Sequence, residues 1–223
     1  MAQKKILIPT TNAESWKSFL AQPEKQWKDG FSAKSAAELW EKNGDLPKKI
    51  VKAFNQNETF KNSEMLLAIP EFKVELPGGN NASQNDLLVI TTNPNGLSII
   101  TVEAKVNEDF GQTIKEWKKE ASDGKKERLE YLLDTINFQG KEFDNLRYQL
   151  FHRLASAIIM AEKFHAVNAL MIIQSFQIDD NKNHFSDYHN FISVYNVEPI
   201  KEHIQRISSV NGIDIYVLWV FSK

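Results

Sequence analysis

From Ala166 to Phe176 the chain reads Ala-Val-Asn-Ala-Leu-Met-Ile-Ile-Gln-Ser-Phe, with no charged side chain and few polar ones. A strand with one wet face alternates apolar and polar residues; a strand covered on both faces does not. This run therefore calls for a sheet with a layer packed on each side. The preceding segment supplies one such layer. Asn145 to Phe164 carries Leu146, Leu150, Leu154, Ala157, Ile158 and Ala161 at helical spacing, which predicts a long amphipathic helix. The stretch without Asp, Glu, Lys or Arg around the buried strand, Phe164 to Ile178, is 15 residues long and includes a His, an Asn and two Gln. It is too short and too polar to span a bilayer.

The other elements follow from changes of period. Ser15–Leu20 predicts a short helix ended by Pro23. Ser32 to Gly44 predicts a better one, with Ser32 as N-cap, Ala36, Leu39 and Trp40 on one face and Gly44 as C-cap. A further helix opens at Leu46-Pro47 and runs through Phe54. After residue 65 the period becomes two. Met65–Leu76 reads as a strand, Pro77-Gly-Gly-Asn-Asn81 as a turn, Asp86–Ile90 as a second strand and Leu97–Val106 as a third. The last two are joined by the hairpin signal Thr92-Asn-Pro-Asn-Gly96. Residues 110–134 are charged and helical with a break at Ser122-Asp-Gly124. Beyond the buried strand, Asp187–Tyr195 and Val197–Ile207 read as helices and Ile213–Phe221 as a final strand. The expected fold class is α/β, a mixed central sheet flanked by helices.

Composition excludes several functions. With 223 residues, 42% hydrophobic and 25% charged, one sizeable domain with an N-terminal extension is expected. Lys and Arg number 27 against 29 Asp and Glu, a net charge of -2, so no global positive field draws in nucleic acid. Such binding has to come from a local patch or a bound metal. Cysteine is absent, which removes disulfides, cysteine-ligated zinc and a thiol nucleophile and fits a reducing compartment. Met1–Pro9 has two lysines and a brief apolar run, without the pattern of an export signal. The expectation is a cytoplasmic protein with no membrane partner.

Chemistry concentrates in Asp86-Leu-Leu-Val-Ile and Ile99-Ile-Thr-Val-Glu-Ala-Lys105. The chain holds five Asp/Glu-x-Lys triplets, beginning at Glu71, Glu103, Glu116, Asp123 and Asp180. Only the Glu103 triplet ends a strongly apolar strand and follows a strand that opens with a carboxylate. With the hairpin centred near Pro94, residue 86 lies opposite about residue 102, within one residue of Glu103. Glu103 and Lys105 share a face by alternation. Two converging carboxylates bind hard Mg²⁺ or Mn²⁺, and a nearby ammonium orients water or meets charge developing on phosphate. The plainer reading is an ion pair between Glu103 and Lys105.

Asp86, an apolar strand, a hairpin and Val102-Glu-Ala-Lys105 together resemble the PD-(D/E)xK nuclease superfamily. The resemblance implies a restriction-endonuclease-like core over residues 33–176: a helix, three strands, a helix and a further strand. Residues 1–30 would be an N-terminal extension and 177–223 a C-terminal helix and strand. It also implies Asp86, Glu103 and the carbonyl of Ala104 as ligands of Mg²⁺ (or Mn²⁺), and Lys105 as the residue assisting the attacking water. Asn85 stands where the naming motif has Pro. Some families of this fold carry a glutamine facing the active site on the helix after the Glu-x-Lys strand, and Gln149 is similarly placed. The implied activity is metal-dependent hydrolysis of phosphodiester bonds in nucleic acid, DNA first, with a homodimer or protein partner left open. An inactive scaffold that binds nucleic acid and retains the fold is the alternative.

Arg147, Arg153 and Lys115 are candidate phosphate contacts, with Lys118 and Lys119 beside Lys115. Their competing reading is a solvated helix face, as it is for the stripe Gln149, His152, Arg153 and Ser156. Glu75, Glu38 and Glu41 are further candidate ligands, and the Glu71 triplet ranks second because no carboxylate-bearing strand precedes it. His184 and His189 near Asp179, Asp180 and Asp187 form a conceivable metal cluster. Trp16, Trp27, Trp40 and Trp117 are candidates for base stacking or for packing. Walker, Gly-x-Ser-x-Gly and Gly-x-Gly-x-x-Gly motifs are absent.

Overall fold

In a computed structural model, which describes residues 10–120, 122–176 and 184–222, a six-stranded mixed sheet forms the centre. The strands are β1 Glu64–Val74, β2 Ser83–Asn93, β3 Gly96–Lys105, β4 Asn168–Ser175, β5 Gln205–Val210 and β6 Ile213–Phe221. Their order in the sheet is β1-β2-β3-β4-β6-β5. The β1–β2, β2–β3 and β5–β6 pairs are antiparallel, while β4 lies parallel to both β3 and β6. Every residue of β4 is buried, as its continuous apolar run requires.

Helices cover both faces. They are α1 Pro23–Gln26, α2 Ser32–Asn43, α3 Lys48–Asn55, α4 Ile114–Trp117, α5 Asp123–Thr135, α6 Tyr148–Lys163 and α7 His184–Ser193. One core joins α5, α6 and α7 to the sheet through residues such as Leu132, Leu150, Leu154, Phe191, Leu88, Ile99 and Met171. The other joins α2 and α3 through Trp40, Ile50, Phe54, Leu87, Val102 and Leu218. The helix α2 ends at Gly44, whose φ of 62° is the left-handed geometry that glycine adopts without steric cost. Among the described residues no helix is long and apolar enough to cross a membrane.

Three local readings change. Pro23 does not close a helix; it opens α1, where its missing N–H is no loss. The first element is a 3₁₀ turn, Ala13–Phe19, capped by Asn12. Residues 197–207 form no helix. Val197, Ile200, Ile204 and Ile207 do follow helical spacing, but the chain pairs as β5 with β6 across Asn211-Gly212. Those two turn residues have φ of 51° and 81°, the positive values that an Asn-Gly hairpin turn needs.

Candidate active site

The β2–β3 hairpin turns at Pro94-Asn95 and its register runs from Asn93↔Gly96 to Leu87↔Val102. There the two strands part. β2 continues to pair with β1 as far as Val74↔Ser83, and β3 continues beside β4 as far as Lys105↔Ser175. A fork opens between them, with Asp86 at its head on one side and Glu103, Ala104 and Lys105 along the other. Side chains also change face here. Leu88 and Ile90 belong to the α6 core, and Ser83 bonds to α6 as well, so the alternation shifts between 83 and 88. Asp86 sits at the shift, and its Oδ2 accepts a hydrogen bond of 2.6 Å from the Ala104 N–H. A strand residue sends its N–H and C=O to the same side, so the Ala104 carbonyl also faces the β2 side of β3.

Glu103 is only 3% exposed and is surrounded by donors. Lys105 Nζ lies 2.8 Å from its Oε1, Gln149 Nε2 donates to Oε1 at 2.7 Å, and the Arg153 guanidinium Nε pairs with Oε2. Lys105 also donates to Gln149 Oε1 at 3.0 Å and sits over the Phe110 ring. Burial pushes the Glu103 carboxyl up, but Arg153 and Lys105 outweigh it and hold the carboxyl below its usual range. So α6 delivers Gln149 and Arg153 from consecutive turns to one carboxylate. The polar stripe on α6 is therefore a packed face and not a solvated one. His152 Nδ1 lies 3.0 Å from Arg153 Nη1 and 2.8 Å from Ser83 Oγ. A guanidinium only donates, so Nδ1 carries a lone pair, and burial with the adjacent Arg153 keeps the ring neutral.

The structure thus brings together Asp86, Glu103, Ala104, Lys105, Gln149 and Arg153. It corrects the expected setting of Arg153, which is buried against Glu103 on the pocket wall. Arg147 stays outside: its Nε pairs with Asp187 Oδ2 at 2.9 Å and its Nη1 donates to the Gly111 carbonyl. Lys115 is exposed on α4, away from the pocket, and Lys118 pairs with Asp144 at 2.6 Å. Of the weaker candidates, Glu41 accepts from Trp16 Nε1, Glu38 neighbours Lys34, and Glu75 is exposed outside the fork. Trp16 and Trp40 are core residues, and Trp117 stacks on Tyr148 at 4.2 Å. His184 is buried on α7, and His189 is 3.0 Å from Glu198. Asp179 and Asp180 lie outside the described residues. Among the described residues no group of three His, Asp or Glu side chains stands ready to hold a metal ion.

Two further acids line the pocket, Glu71, whose triplet ranked second in the sequence, and Glu108, which the sequence did not mark. Extending the β1–β2 register between Pro70↔Leu87 and Phe72↔Asn85 sets Glu71 opposite Asp86. Glu71, Asp86 and Glu103 are therefore successive members of one row across three strands. Glu71 has a φ of 52°, is buried, and accepts 2.7 Å from Gln84 Nε2. Counting back from the turn at 77–81 would have found it. Glu108, in the loop after β3, also lines the cavity. Its pairing with α2 spans 76 residues and leaves no local trace in sequence.

The row is short of positive charge. Burial raises the Asp86 carboxyl well above its usual range, with Glu103 and Glu71 adding to the shift. Burial likewise raises Glu71 to about 7, from 4.5. A carboxyl whose folded value is raised holds its proton more tightly when folded, so its contribution to stability is present at low pH and lost as pH rises. Metal-free protein should therefore lose stability as pH rises from about 4.5 through about 7, the window set by Glu71. Glu71→Gln should remove part of that slope. Urea midpoints of both proteins at about pH 5 and about pH 8 check this. Parallel profiles would contradict it.

A sequence model for a domain of unknown function, DUF6946, matches residues 9–223. The chain belongs to that family. No curated protein and no solved structure matches it significantly.

Proposed function

We propose that this protein is a metal-dependent phosphodiesterase acting on nucleic acid, DNA first. The observation that carries the reading is the fork, where Asp86, Glu103, Lys105 and Gln149 line one cavity of about 390 Å³ and the Ala104 N–H bonds to Asp86. The order helix α2, strands β1 to β3, helix α6, strand β4, with α3 before β1 and α4 and α5 before α6, supports the resemblance to a restriction-endonuclease-like core.

An oxygen-only donor set of two carboxylates and a carbonyl suits a hard divalent cation. The fit is supported by the setting of Asp86 and Glu71, whose carboxyls burial and neighbouring acids raise and which a cation beside them would offset. Asp86, Glu103 and Ala104 would hold Mg²⁺ or Mn²⁺, which when bound polarises the phosphate and acidifies water. Asp86 is kept in line by the Ala104 N–H. Gln149 spans Glu103 and Lys105 and fixes their spacing. Lys105 then presents its ammonium to the attacking water or to growing charge on phosphate.

A second reading, an inactive scaffold that binds nucleic acid, is favoured by one observation. Both oxygens of Glu103 already face cations, Lys105 at Oε1 and Arg153 at Oε2, so an entering metal has to share an oxygen with one of them. Calorimetric titration with Mn²⁺ separates the two. Wild type should bind the ion, and Asp86→Ala should bind it at least about tenfold more weakly, the loss of one charged ligand. Equal binding by both would overturn the site.

A further inference from the structure

The cavity at the fork has a second wall. Opposite the carboxylate row it is lined by Leu20, Lys25 and Gln26 from the segment before α2, and by Phe31, Ser32 and Ala33 at the start of α2. This wall is fastened to the loop that follows Lys105. Glu108 Oε1 accepts from the Ser32 N–H at 2.8 Å and from its hydroxyl at 3.0 Å. Its Oε2 takes the N–H groups of Val106 and Asn107 at 3.2 and 3.1 Å. Asn107 Nδ2 in turn donates to the Gly30 carbonyl at 3.2 Å. Burial alone would raise the Glu108 carboxyl, but these donors, Ser32 foremost, hold it below its usual range, so the clasp stays charged.

With the wall fastened in this way, the acids are reached through a space of about 390 Å³, near the lower end of the size of small-ligand pockets. That volume is on the scale of a nucleotide unit and smaller than a stretch of duplex. Its chemistry is divided to match. Of the three cations lining the cavity, Arg153 is tied to Glu103 and Lys105 stands beside the same carboxylate at the reacting centre, which leaves Lys25 on the far wall to meet a neighbouring phosphate. Leu20 and Phe31 offer apolar and aromatic surface to a base or sugar.

We infer that the substrate is the free end of a single nucleic-acid strand, admitted between the row Glu71-Asp86-Glu103 and the wall carrying Lys25, so that hydrolysis starts from an end. This rests on the phosphodiesterase reading above and narrows it. The phosphodiester bond breaks by attack of water on phosphorus. One product keeps the phosphate, and the leaving oxygen takes up a proton.

The test uses the full chain with Mn²⁺ on linear and covalently closed single strands, each as DNA and as RNA, beside supercoiled plasmid. The expected result is shortening of a linear strand from one end, with closed strands of the same sugar and the plasmid cut at least about a hundredfold more slowly. Opening of closed strands or plasmid at a comparable rate overturns the inference and leaves the phosphodiesterase reading standing. No hydrolysis of any substrate overturns that reading, and the inference with it. On the linear strand, Lys25→Ala should raise KM about tenfold with kcat unchanged, the loss of one charged contact to phosphate. An unchanged KM would remove Lys25 from the substrate path.

Discussion

Under the proposed function, Lys105→Ala should lower metal-dependent cleavage about 10²–10³-fold and leave Mn²⁺ affinity close to that of wild type. The expectation follows from what an ammonium can do. It only donates, so it is no ligand for a hard cation, and its loss spares the ion. Its position is fixed from three directions: Glu103 Oε1 at 2.8 Å, Gln149 Oε1 at 3.0 Å and the Asp109 carbonyl at 3.3 Å. A positive charge held this firmly needs no reorganisation as negative charge builds on phosphate, and for that reason its removal is expensive. Arg153 and Gln149 still serve Glu103 in the variant, so the fold should persist. A purely structural lysine would lower the melting temperature and leave kcat alone. Turnover at saturating Mn²⁺, with melting curves of the same samples, separates the two, and wild-type turnover would refute the assigned role.

The second large effect is on stability. Arg153→Met should cost about 3 kcal/mol in metal-free buffer, the low end for breaking a buried pair because Lys105 still faces Glu103. For a domain of this size that is a fall of roughly 6–12 °C in melting temperature. The cause is a carboxylate left buried with one cation fewer, not the lost volume, since Met fills much of the same space. Adding Glu103→Gln should therefore recover part of the loss. A double variant less stable than Arg153→Met would point instead to packing. Arg153 Nη1 also donates to Ser83 Oγ at 3.1 Å, so some loss remains in the double variant.

What the sequence made legible was whatever depended on neighbours in the chain. The strand Ile213–Phe221 and the fully buried β4 declared themselves through apolar runs that only a covered sheet accommodates. The hairpin at Pro94-Asn95 let Asp86 be placed within one residue of its partner, because a two-residue loop leaves the register little freedom. Gln149 reached the same carboxylate because α6 follows the buried strand's demand for a covering helix. Residues 197–207 misled for a definite reason. Four apolar residues at helical spacing outweighed Pro199 and the Asn211-Gly212 turn, yet pairing with β6 satisfies the backbone and buries Ile204 and Ile207. The Glu71 triplet ranked only second because it was judged by what preceded it, whereas its partner Asp86 comes after it. Pro70 was a usable hint, since proline in a strand marks an edge, and β1 is one. The burial of Arg153 and the clasp of Glu108 on Ser32 are contacts across the fold, set by how helices dock on the sheet, and no local pattern encodes them.

The central claim is that Asp86 and Glu103 work a divalent cation to hydrolyse nucleic acid. Its most direct test is to incubate the purified protein with end-labelled linear DNA and RNA and excess Mg²⁺ or Mn²⁺, with a parallel sample in chelator. One of the labelled strands should be hydrolysed, chelation should stop the reaction, and Glu103→Ala should not cut. Intact DNA and RNA under both cations, or cleavage that persists in chelator or in Glu103→Ala, would contradict it.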